Sequence, residues 1–211
     1  MKKTLTVLLA LVLVIAMSVA GTMAYLTSTT DTVTNTFTVG KVTITLDEAD
    51  VNEYGQKVKA DGSVAGPNDT LADRVKANTY KLIPGHSYVK DPTVHVAAGS
   101  EDCYLFVKVV DGISAIEADT TIAAQLATKG WKPAGVDNVY VYATGSDTKS
   151  VVSVGTDTGT DIVVFENFTL TSNASVDSYK NAQITVTAYA IQADGFAEKT
   201  PAAIWGDAGF T

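Results

Sequence analysis

The sequence predicts an all-β fold, a sandwich or a barrel, and three observations predict it. Short β-branched runs rich in Val, Thr and Ile recur along the chain, separated by turn residues. One run alternates strictly: Val42, Ile44 and Leu46 interleave with Lys41, Thr43 and Thr45, giving a strand one dry and one wet face. At 211 residues, 46% hydrophobic and 18% charged, the chain can bury a sizeable core, which excludes wholesale disorder.

The elements follow in order. Thr34 to Phe37 leads into the alternating run from Val39 to Leu46. Tyr88-Val89 and Thr93 to Val96 flank Lys90-Asp91-Pro92. Cys103 to Val110, Val139 to Tyr142, Ile162 to Phe165, Phe168 to Leu170 and Ala182 to Ile191 complete the strands. Asp69 to Thr79 is polar and lies between turn signals, so it reads as a loop or a short helix. Ile113 to Lys129 carries Ile113, Ile116, Ile122, Ala123 and Leu126 at an imperfect helical spacing, bounded by Asp111-Gly112 and Gly130. It reads as a helical insertion. Gly145 to Gly159, rich in Ser, Thr, Asp and Gly, reads as a long surface hairpin or loop. With no convincing internal repeat or domain linker, residues 39–211 read as one domain.

The first 24 residues have the layout of a secretory leader. Lys2 and Lys3 form a positive start, Val7 to Met17 is an unbroken apolar run, and Ser18, Ala20, Gly21, Thr22 and Ala24 are small. A spanning helix needs about 20 apolar residues, so a cleaved leader is expected in preference to a permanent anchor. Thr22-Met23-Ala24 puts small residues where a signal peptidase reads them and places the cut between Ala24 and Tyr25. Ser18-Val19-Ala20 offers a competing site. Without Lys2 and Lys3 the formal net charge falls from −8 to −10. An acidic chain of this kind is not expected to bind nucleic acid, which needs a basic surface.

Residues 25–38 form an arm. It is rich in Thr, a good strand former, but has few apolar side chains to anchor it. It can remain a tail, or add to the edge of a sheet in another molecule. Its assembly residues are expected to be Tyr25, Leu26, Val33, Asn35 and Phe37.

No metal site is expected: His86 reads as part of the Pro84-Gly85-His86 turn and His95 as a residue on a strand face. The sharper alternative combines both histidines with distant carboxylates as metal ligands. No His-Glu-x-x-His, Gly-x-Ser-x-Gly, phosphate loop or dinucleotide fingerprint occurs. The acidic stretches Glu48 to Glu53 and Ser146 to Asp161 read as solvated loops, with calcium as the sharper alternative. Cys103, the single cysteine, reads as a buried small hydrophobe; an intermolecular disulfide or a reactive thiol is the alternative. No catalytic residue and no cofactor is expected.

Gly21-Thr22-Met23-Ala24-Tyr25-Leu26-Thr27, followed by Asn35-Thr36-Phe37-Thr38-Val39-Gly40-Lys41-Val42, resembles the N-terminus of the TasA/camelysin family of secreted proteins. Pro84-Gly85, Lys90-Asp91-Pro92-Thr93-Val94, Gly99 to Val107 and Ala188 to Ala193 extend the resemblance over most of the mature chain. The resemblance implies a jelly-roll-like β-sandwich with short helical insertions. It also implies export, processing by a SipW-type signal peptidase, and a place in the extracellular matrix or on the cell surface of a Gram-positive cell. TasA-type members are fibre-forming biofilm-matrix proteins; camelysin-type members have been described as cell-surface metalloproteases. The expected function is a secreted structural subunit that polymerises with copies of itself or related matrix subunits by strand addition of the freed arm, with contact to the membrane only through an uncleaved leader. A camelysin-like metalloprotease and a monomeric adhesin or binding module are the alternatives.

Overall fold

Antiparallel pairing organises the computed structural model, which describes residues 40–118 and 120–211. The leader, the Ala24–Tyr25 cut, the arm and the expected strand from Thr34 to Phe37 lie outside the described residues.

Three sheets form. One orders β1 (Ile44–Asp47), β3 (Thr93–Val96) and β7 (Thr160–Val163), with β3 central. A second pairs β2 (Ser87–Val89) with β8 (Asn167–Thr169). The third orders β5 (Trp131–Pro133), β6 (Val139–Tyr142), β4 (Cys103–Asp111) and β9 (Ile184–Gln192). The longest ladder pairs β4 with β9 over all nine residues, from Cys103 opposite Gln192 to Asp111 opposite Ile184. The fold is therefore β-rich, as the recurrent β-branched runs predict.

Alternation along β4 explains how the layers share their interior. Cys103, Leu105, Val107 and Val109 point into the main core, where they meet Val94 and Val96 of β3, Ile162 of β7, Tyr88 of β2 and Phe168 of β8. Tyr104 and Phe106 point the other way, into a second cluster with Val139, Val141, Ile204 and Trp205. A strand covered on both faces carries no wet face, which is why five successive residues from Cys103 to Val107 are buried.

Two helices and two single 3-10 turns punctuate the described strands. The expected helix from Ile113 to Lys129 is broken. A 3-10 turn spans Ser114–Ile116, Glu117 then bridges to Leu170, and α1 (Ile122–Thr128) begins only afterwards. The Thr121 hydroxyl accepts the Ala124 N–H at 3.1 Å and starts the helix. Gly130 follows the helix at φ +87°, a conformation that glycine alone adopts cheaply. The second 3-10 turn is Val176–Tyr179.

α2 (Pro201–Asp207) was not expected, nor was β5. Thr200 caps α2 by accepting the Ala203 N–H, and Pro201 occupies its first turn. Its Ile204 and Trp205 close the second cluster over Phe106, with the Trp205 ring 5.8 Å from that of Phe106 and 4.8 Å from that of Tyr189. Asp69 to Thr79 contains no helix, but Val75 exchanges two backbone hydrogen bonds with Glu48. Gly145 to Gly159 is a loop tied to the four-stranded sheet at several points: Val152 is buried and pairs with Cys103, Ser150 N–H donates to the Tyr142 carbonyl, and Lys132 Nζ donates to the Gly145 and Asp147 carbonyls.

Candidate docking groove

Two strand edges define the most distinctive surface. β9 ends its sheet, and among the described residues no strand pairs with its outer side. Its sequence, Ile-Thr-Val-Thr-Ala-Tyr-Ala-Ile-Gln, contains no charge and no proline over nine residues. Natural sheets blunt such an edge with lysine, proline, a bulge or brevity; β9 has none of these. β1 ends the three-stranded sheet and comes close to β9.

Beside these edges runs a groove of about 940 Å³. Its apolar surface comes from Leu46 of β1, Tyr80, Leu82, Ile113, Phe168 of β8 and Val186 of β9. Ile184 and Val186 pack toward the main core, whereas Thr185 and Thr187 of the same strand are exposed.

One end of the groove is polar and fully satisfied. Lys90 Nζ sits 2.6 Å from Glu48 Oε2, with side chains only 11% and 5% exposed. Asn78 Nδ2 donates to Glu48 Oε1 and to the Ala49 carbonyl, both at 2.9 Å. Tyr80 donates its hydroxyl to the Val89 carbonyl at 3.1 Å. Burial, followed by the negative charges of Glu48 and Asp91, raises the Tyr80 pKa well above that of an ordinary phenol. These groups are locked into one another and offer no free acid or base. The reading of Glu48 as part of a solvated loop is thereby corrected: its carboxylate is buried against a lysine 42 residues away.

The two histidines are committed to different partners. His86 Nε2 lies 2.9 Å from the Tyr54 carbonyl, and its ring packs edge-on against Tyr88 with centroids 4.6 Å apart. His95 Nδ1 lies 2.7 Å from Asp161 Oδ1 on β7, and its Nε2 lies 2.9 Å from Asp47 Oδ1 on β1. Asp161, too, is drawn out of a loop reading into this contact. Among the described residues no group of three or more His, Cys, Asp or Glu side chains is arranged to hold a metal ion. Cys103 is fully buried, and burial followed by the neighbouring Asp102 charge pushes its thiol up to about 11. It stays a thiol at neutral pH, without the depressed pKa that a reactive cysteine needs.

One buried acid outside the groove lining was not foreseen. Glu117 is 9% exposed and accepts the Ile122 N–H at 3.2 Å on each carboxylate oxygen. Burial and the nearby Asp111 raise its pKa from an ordinary 4.5 to about 7. The folded state thus holds this proton more tightly than the unfolded chain. Its contribution to stability is complete below about pH 4.5 and is lost as pH rises through about 7. Denaturation midpoints should fall over that window by the equivalent of about 2–3 kcal/mol, and Glu117→Gln should flatten the slope. An unchanged slope in the variant would assign the pH dependence elsewhere.

The assembly residues Tyr25, Leu26, Val33, Asn35 and Phe37 lie outside the described residues, so the structure brings none of them to the groove. The groove itself was missed by sequence reasoning, because its walls come from stretches far apart in the chain. No protein-family model, no curated protein and no solved structure matches this chain.

Proposed function

We propose that the protein is a secreted structural subunit of extracellular matrix or cell-surface fibres. In this reading it is a jelly-roll-like β-sandwich of the TasA/camelysin type, exported and cut by a SipW-type signal peptidase between Ala24 and Tyr25. The freed arm of one molecule adds as a strand to the next. The observation that carries the reading is β9: nine uncharged residues at a sheet edge, unpaired among the described residues, beside an apolar groove.

An extended arm rich in threonine satisfies its own N–H and C=O groups by pairing with such an edge, and its apolar side chains take specificity from the groove. Alternate residues of the arm suit this role. In an extended strand Val33 and Phe37 would share one face with Tyr25, Asp31 and Asn35, while the opposite face from Thr30 to Thr38 would be all threonine. Donor and acceptor are different surfaces, so the contact is head-to-tail and propagates into a filament unless its rotation closes a ring. A tethered leader keeps the arm from docking, which makes processing the assembly step.

A monomeric binding module is the second reading, favoured by the groove volume, which falls in the range of small-ligand sites. Electron microscopy separates the two. Protein beginning at Tyr25 should form filaments, and protein beginning at Val39 should remain monomeric at the same concentration. Equal assembly of both, or of neither, would remove the strand-addition reading.

A further inference from the structure

We infer that His95 is a proton-dependent clasp on the sheet that supplies one wall of the groove: protonated, it ties β1 and β7 to β3, and neutral, it gives up one of those ties.

The geometry carries this. The imidazole stands on the central strand with a carboxylate oxygen within hydrogen-bond distance of each ring nitrogen, Asp161 on one side and Asp47 on the other. An ionised carboxylate only accepts. A neutral imidazole has one N–H, so its other nitrogen would turn a lone pair toward a carboxylate oxygen. Only the imidazolium donates to both. The strand register makes the bridge short: Asp161 lies directly opposite His95, and Asp47 lies two residues beyond its opposite neighbour Thr45.

The other charges around the clasp make it graded. Arg74, from the long excursion between β1 and β2, donates its Nε to Asp47 Oδ1 and its Nη2 to the Asp91 carbonyl and to Thr93 Oγ1, both at 2.9 Å. Asp91 in turn pairs with Lys57 at 3.1 Å. Asp47 therefore keeps a cation when His95 is neutral. Asp161, 68% exposed, has no other ion pair among the described residues. Burial lowers the His95 pKa, but the hydrogen bonds and charges of Asp47 and Asp161 outweigh it and leave the pKa raised above 6.5. The tie is thus fully present below the unfolded value and weakens as pH rises through the raised one. Asp47 and its neighbours Leu46 and Glu48 line the groove, so loosening β1 loosens an acceptor wall. That last link rests on the docking reading above.

Amide hydrogen exchange on the mature protein tests the clasp. Protection of Thr45 and Asp47, whose amides face β3, should fall about threefold to tenfold between about pH 5.5 and pH 8.5, after correction for intrinsic rates. In His95→Gln that dependence should vanish. Flat protection in the wild type, or full dependence in the variant, would overturn the clasp. If the variant does not fold, nitrogen NMR of the wild-type imidazole decides. Two protonated ring nitrogens, titrating above the ordinary histidine value, support the clasp, and a single N–H at about pH 6 overturns it. Filament growth measured at the same two pH values separates the links. Exchange that responds while filaments do not would keep the clasp and overturn its coupling to docking.

Discussion

Trp131→Ala should lower stability by about 3–5 kcal/mol, a large part of the 5–15 kcal/mol typical of a domain. Trp131 is fully buried at the start of β5 and packs edge-on against Tyr142 with ring centroids 5.5 Å apart. Its Nε1 donates to the Val163 carbonyl of β7 at 3.0 Å. One side chain therefore crosses the main core from the four-stranded sheet to the three-stranded one. Truncation removes its apolar surface, opens a cavity and leaves that carbonyl without its donor. Trp131→Phe keeps most of the ring volume but loses the hydrogen bond, and should cost about 1–2 kcal/mol. Chemical denaturation followed by the fluorescence of Trp205, the remaining tryptophan, measures both. A loss below 1 kcal/mol in Trp131→Ala would mean that the sheets are not joined through this residue.

Val186→Lys should slow filament growth at least tenfold while leaving a folded monomer. Val186 is partly buried and lines the groove on β9, whose outer side pairs with no strand among the described residues. Its long replacement can carry the ammonium out to water when the groove is empty. A docked arm would cover that charge without a partner, at a cost of several kcal/mol. Val151→Lys, an exposed residue of the Gly145 to Gly159 loop outside the groove lining, should interfere less. Light scattering read beside the monomer melting temperature tests the pair. Equal growth of both variants and wild type would remove β9 and the groove from the assembly contact.

Local patterns made most strands legible. β6 lies where its Val-Tyr alternation puts it, β4 and β9 fall within a residue or two of their β-branched runs, and β1 keeps only the end of its run, starting at Ile44. The remainder depended on tertiary contacts. β5 is three residues long and ends at Pro133, too short for a period to show; Trp131 defines it through a partner 32 residues away. The Ile113–Lys129 spacing was imperfect because two pieces are joined there, and the Glu117 bridge to Leu170 breaks the helical run. The Thr200-Pro201 start of α2 was in plain view as a cap followed by a proline at the first helical position. With only seven residues, the helix is too short for its period to stand out.

The site was less legible than the fold. Its groove draws on residues 46–48, 76–82 and 176–186, and no local pattern announces that such stretches converge. The His95 contacts reach 48 and 66 residues along the chain. Only the lack of charge in β9 was readable in advance, and an uncharged strand reads equally well as a central one.

Thiol cross-linking of a mature protein carrying both Val33→Cys and Val186→Cys tests the central claim most directly, because Cys103 is fully buried and out of reach of the reagent. A short bifunctional linker should yield a ladder of covalent multimers, each joint connecting the arm of one molecule to β9 of the next. Closed monomers linked within one chain, or no linkage under conditions that give filaments, would contradict it.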